Sequence, residues 1–111
     1  MQKRLFDLGE FELIERIRKT ARRAAAGVRI GIGDDAAVLR FSAGAELLVT
    51  TDLLHEGVHF DLRTTDPESL GWKSAAVNLS DIAAMGGKPR ACFTALGIPA
   101  SVSAADVARF Y

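Results

Sequence analysis

Apolar side chains first recur at helical spacing between Glu10 and Ala25, where Phe11, Ile14, Ile17 and Ala21 share a face and Arg16, Arg18, Lys19, Arg22 and Arg23 interleave. The pattern predicts an amphipathic helix stopped by Gly27. Its basic residues gather in the last turns, where they suit the negative end of the helix dipole, so a solvated face is favoured over a binding patch. Val28 to Gly33 and Ala36 to Phe41 are short runs of branched apolar residues on either side of the acidic turn Asp34-Asp35, and they predict two strands. After the turn Ser42-Ala43-Gly44, the run Glu46 to Asp52 predicts a third strand, one that ends in the hydroxyls of Thr50 and Thr51 and a carboxylate.

A second helix is expected to open at Asp66-Pro67, an aspartate N-cap followed by a proline whose missing N–H is harmless at that position, and to stop at Gly86-Gly87. Leu70, Val77, Ile82 and Met85 supply its apolar surface, and Ser74, Asn78 and Asp81 form a polar stripe. Arg90 to Pro99 reads as a largely buried strand with Cys92 as a small hydrophobe inside it. Ser103-Ala104-Ala105-Asp106 resembles a capping box at the head of a last helix. The chain leaves that helix at Tyr111, which predicts a fragment of something longer.

Composition narrows this picture. With 111 residues, 49% of them hydrophobic and 25% charged, the expectation is one domain over 1–111 with a modest core. An apolar sheet face on so small a domain needs a partner to cover it. Fourteen basic and fourteen acidic residues cancel, which removes the footprint expected of a nucleic-acid or anionic-membrane binder and points to a small-molecule partner. A single cysteine permits no intrachain disulfide and suits a reducing cytoplasm. No apolar run approaches the ~20 residues that span a bilayer.

The candidate chemistry is acidic. Asp34 and Asp35 sit in a turn, Asp52 at a strand end and Asp81 on a helix. Two like charges ~4 Å apart cost about 4 kcal/mol at an effective dielectric of 20, so if these groups converge they either take up protons or bind cations. Carboxylates with the hydroxyls of Thr50 and Thr51 and the Asn78 amide form an oxygen set suited to magnesium rather than zinc or copper. Each piece also has an ordinary reading: turn chemistry, a common strand pair, a solvated helix face. His55-Glu56-Gly57-Val58-His59 matches the H-E-x-x-H zinc motif, but that mechanism needs a helix, and Gly57 with a strand-like approach argues for a loop. There is no G-x-x-x-x-G-K-[ST] loop, so a phosphate-handling site here would hold phosphates through metal ions.

Taken in order, Gly9-Glu10-Phe11 with Leu13-Ile14, Gly31-Ile32-Gly33-Asp34-Asp35-Ala36-Ala37, Thr50-Thr51-Asp52, Glu56-Gly57-Val58-His59-Phe60, Gly71-Trp72-Lys73 and Val77 through Gly86 resemble the opening third of thiamine-monophosphate kinase. The acidic turn and the Asn-x-x-Asp helix recur in the wider superfamily of aminoimidazole-ribonucleotide synthetase, selenophosphate synthetase and hydrogenase-maturation proteins. The resemblance implies an α+β fold, a mixed β-sheet with helices on one face whose sheets pair in a homodimer. It implies magnesium-dependent transfer of the ATP γ-phosphoryl group to thiamine monophosphate. By position it assigns metal contacts to Asp35, Thr50, Thr51, Asp52 and Asp81, a thiamine-phosphate contact to His59 and a nucleotide contact to Tyr111, leaving Asp34 to shape the turn. No covalent nucleophile is expected, because a phosphate monoester with a second pKa of about 6 is already ionised at neutral pH. The alternatives are a silent nucleotide-binding or dimerisation module and another member of the superfamily.

Overall fold

The computed structural model describes residues 5–21 and 26–111. Its elements are helices α1 (Leu5–Leu8) and α2 (Glu10–Thr20), strands β1 (Val28–Ile30) and β2 (Val38–Leu39), and helices α3 (Pro67–Ala84) and α4 (Ala104–Phe110). The class is α+β. The chain divides into two compact units: one takes in residues up to Gly44 with Arg90–Arg109 and Tyr111, the other Ala45–Pro89 with Phe110.

In the first unit, α1 is an element the hydrophobic pattern did not announce, set off from α2 by Gly9 at φ 75°. Helix α2 follows the expected course to Thr20, and the rest of the expected helix, 22–25, lies outside the described residues. Its polar face is solvated and paired along the helix: Arg16 donates to Glu12 at 2.8 Å and Arg18 to Glu15 at 2.6 Å. The Arg18 guanidinium, with Lys19 behind it, holds the Glu15 carboxyl down at about 2 from an ordinary 4.5. Strands β1 and β2 pair antiparallel, Val28 opposite Leu39 and Ile30 opposite Val38, with an irregularity between. Gly27, at φ 92°, lets the chains close tightly; its carbonyl accepts the Arg40 N–H at 2.7 Å. Helix α4 opens with the expected capping box, Ser103 Oγ accepting from Asp106 N–H and the Asp106 carboxylate accepting from Ser103 N–H, both at 3.1 Å.

The second unit is organised by α3. Asp66 caps it by accepting the Ser69 N–H at 3.1 Å, with Pro67 in the first turn, as the sequence indicates. The helix ends in a Schellman motif: Gly86, at φ 70°, donates its N–H to the Ala83 carbonyl, and Gly87 donates to the Ile82 carbonyl, both at 2.9 Å. A Cβ on Gly87 would lie 2.6 Å from Leu48 Cδ1, so the segment that carries Thr50 and Asp52 packs on the end of α3.

The sheet is where expectation and structure part. Among the described residues the ladder is the two-stranded antiparallel pair alone, not a broad mixed sheet. The runs Glu46 to Asp52 and Arg90 to Pro99 carry no regular secondary structure and join no ladder. Nor is the second run buried: Phe93 is 74% exposed and Cys92 is exposed. An apolar run signals strand character without naming the neighbour that would pair with it, and a strand forms only where such a neighbour supplies N–H and C=O partners. The cost shows in the surface. The chain exposes 8940 Å², whereas a self-contained monomer of 11.9 kDa exposes about 6,000 Å². Among the described residues only Leu8, Ala104 and Val107 form a buried apolar core.

Candidate functional site

The second unit brings the Thr50 hydroxyl to the helical carboxylate of Asp81. Thr50 Oγ1 donates to Asp81 Oδ2 at 3.0 Å, across thirty-one positions of sequence. The packing of Leu48 against the α3 terminus brings the two chains into reach. Asp52 and Asp81 both line one open groove of about 460 Å³, together with Trp72, Lys73, Ala76, Val77 and Ser80. Thr51 is exposed beside them in sequence.

The groove face of α3 differs from the expected polar stripe. Ser74 Oγ donates to the Leu70 carbonyl at 2.7 Å and Asn78 Nδ2 donates to the Ser74 carbonyl at 2.9 Å, so these two side chains bond back onto their own helix. The face that meets the groove is Lys73, Ala76, Val77, Ser80 and Asp81, positions three and four apart. That spacing was legible, but a lysine and a serine among alanines carry no distinctive signal for it.

Residues 55–60 form a turn, not a helix. His59 and Val58 donate their N–H groups to the His55 carbonyl at 2.9 and 3.1 Å, Gly57 donates to the Phe60 carbonyl at 2.8 Å, and Gly57 stands at φ 81°. The His55 N–H donates to His59 Nδ1 at 2.9 Å. Two histidines so placed share no helical face, and the geometry that the H-E-x-x-H mechanism requires is missing. A neutral His59 ring accepting at Nδ1 carries its proton on Nε2, which makes that nitrogen a donor. Lys73 Nζ donates to the His59 carbonyl and ties the turn to α3.

The other expected site residues belong to the first unit. Gly33, at φ 118°, supplies a backbone conformation that side chains resist. Asp34 Oδ1 accepts the Asp35 N–H at 2.9 Å and so braces the turn, while the Asp35 side chain stands exposed. Tyr111 neighbours Thr94 and Cys92; partial burial pushes its phenol above the ordinary value, against a hydrogen bond with Thr94 that lowers it.

Among the described residues no three His, Cys, Asp or Glu side chains converge closely enough to cage a metal ion. Magnesium does not need a cage. It keeps several waters and binds through one or two carboxylates plus phosphate oxygens, so the oxygen donors of Asp52, Asp81 and Thr50 fit its demands. No described helix is long and apolar enough to cross a membrane.

Residues 33–111 match the family model of AIR synthase related protein, N-terminal domain. Among curated relatives, the thiamine-monophosphate kinase of Aquifex aeolicus is 44% identical over 97% of this chain and 33% of its own length. That of Bacillus subtilis is 38% identical over 94% and 32%, and that of Escherichia coli K12 is 45% identical over 82% and 28%. The chain thus spans about a third of the length of the curated relatives it matches. No solved structure gives a significant match.

Proposed function

Since this chain belongs to the AIR synthase related protein N-terminal domain family, we propose that it is the magnesium- and ATP-phosphate-binding part of a thiamine-monophosphate kinase. The observation that carries the reading is the groove lined by both Asp52 and Asp81, with Thr50 hydrogen-bonded to Asp81, which sets oxygen donors from a loop segment and a helix side by side. The names of the relatives support the substrate assignment.

In this reading Asp52 and Asp81, with Thr50 and Thr51, would hold magnesium at the nucleotide phosphates, and Asp35 in the braced Gly33 turn is assigned a metal contact of its own. Magnesium held by these residues would supply the positive charge that lets two phosphates approach each other. The His59 Nε2–H donates to the acceptor phosphate, and Tyr111 contacts the nucleotide. An oxygen of thiamine monophosphate forms a bond to the γ-phosphorus of ATP as the bond from that phosphorus to the bridging oxygen breaks, and ADP leaves with the electron pair. The acceptor is already an anion, so no general base and no phosphoenzyme are required. Holding the partners in line is the protein's main contribution.

The exposed runs around Leu47 to Leu53 and Phe93 to Leu96 support a further element of the proposal: a homodimer in which a second copy completes the mixed sheet. On this reading the protein works in the cytoplasm, needs neither nucleic acid nor membrane, and the 111-residue chain alone does not turn over. The test uses the complete enzyme, supplied with γ-labelled ATP and magnesium and offered thiamine monophosphate, selenide or carbamoyl phosphate in turn. Label should pass only to thiamine diphosphate, with none left on protein. Turnover of either other substrate, or a labelled protein intermediate, would refute the assignment.

A further inference from the structure

The Gly71-Trp72-Lys73 segment has no part in the metal site as proposed, yet both of its side chains, Trp72 and Lys73, line the groove with Asp52 and Asp81. Lys73 is the only cationic residue in that lining. Its partner is the neutral carbonyl of His59, and among the described residues its ammonium enters no ion pair, even with two carboxylates on the same groove. A carbonyl satisfies one N–H without cancelling the charge, which leaves further donors on the ammonium. The same contact joins Lys73 to the residue whose ring carries a donor at Nε2.

We propose that Lys73 is the phosphate-binding cation of the groove: its ammonium and the His59 ring together hold the phosphate monoester of the acceptor, facing the carboxylates that hold the nucleotide through metal. This rests on the kinase reading and deepens it. It gives the groove a means to select the phosphate ester over the free alcohol, since thiamine itself leaves the ammonium without its anion.

Trp72 is the only tryptophan of the chain and lines the same groove, so its fluorescence reports occupancy. Wild-type protein, Lys73→Met and Lys73→Arg are titrated with thiamine monophosphate, thiamine and inorganic phosphate, each variant first checked for wild-type circular dichroism. Lys73→Met should weaken thiamine monophosphate by about tenfold or more, which is about 1.4 kcal/mol, and leave thiamine unchanged. Lys73→Arg should recover most of the loss, and added salt should erode the preference for the ester in wild type but not in Lys73→Met. The proposal is overturned if wild type shows no preference for the ester, if Lys73→Met binds it as wild type does, or if Lys73→Met loses ester and thiamine equally, which marks a purely structural tie. Magnesium-dependent binding of a non-hydrolysable ATP analogue, measured alongside, separates the two claims. Its presence with an unaffected Lys73→Met sinks this inference alone, and its absence sinks the metal reading.

Discussion

Replacing Gly71 by alanine should destabilise the protein, although the substitution favours a helix everywhere else. Gly71 stands inside α3, where alanine is ordinarily better by about 1 kcal/mol. Here an added Cβ would lie 1.9 Å from the Phe110 carbonyl oxygen and 2.9 Å from its carbon, both backbone atoms of the same compact unit. The closest approach that real Cβ atoms make is about 3.0 Å, so the Phe110 peptide must retreat by about 1.1 Å. No rotamer change relieves that overlap. Overpacking of this kind costs ~1 to 3 kcal/mol, and subtracting the propensity gain leaves a net loss of about 0 to 2 kcal/mol, centred near 1. Urea unfolding followed by circular dichroism reads it, with Ser80→Ala on the exposed face of the same helix as the control for propensity. A Gly71→Ala protein stabilised as much as propensity alone predicts would refute the close approach, and with it the placement of Phe110.

Three other outcomes are expected. Ser103→Ala should cost about 1 kcal/mol by losing the α4 cap, and the double variant with Asp106→Ala should cost less than the sum of the singles, because each side chain serves the other's backbone; additive losses would argue against the box. Glu15 has a folded pKa below its unfolded one, so its contribution to α2 is fully present above about 4.5 and is lost as pH falls toward about 2. Helicity should decline across that window more in wild type than in Glu15→Gln, and equal declines would count against the pairing. Cys92 is exposed on an unpaired apolar run, so in the dimer proposed it becomes covered. Its reaction with a thiol reagent should then slow as protein concentration rises through the association range, whereas a rate independent of concentration would argue against that interface.

What could be read in advance was local. Asp66-Pro67, Ser103 to Asp106 and Gly86-Gly87 announce their helix ends because capping depends on a few neighbouring atoms, and the structure has all three. The bond between Thr50 and Asp81 was not legible from spacing, since its partners lie thirty-one positions apart and meet only through the packing of Leu48 on α3. Arg90 to Pro99 was misread as buried because apolar runs signal strand character without saying what covers them. The H-E-x-x-H letters match a zinc motif, but Gly57 already argues for a loop, and in the structure it turns the backbone away from a helix. Lys73 enters the sequence reading only as part of the Gly71-Trp72-Lys73 resemblance and without a role, because one lysine on a helix is ordinarily a solvated charge, and only the groove gives it company.

The most direct test of the account is calorimetric titration of this chain with a non-hydrolysable ATP analogue, with and without magnesium, in wild type and in Asp52→Asn. Binding should require magnesium and disappear in the variant while the fold, read by circular dichroism, is retained. Binding of equal strength without magnesium, or unchanged by Asp52→Asn, would contradict it.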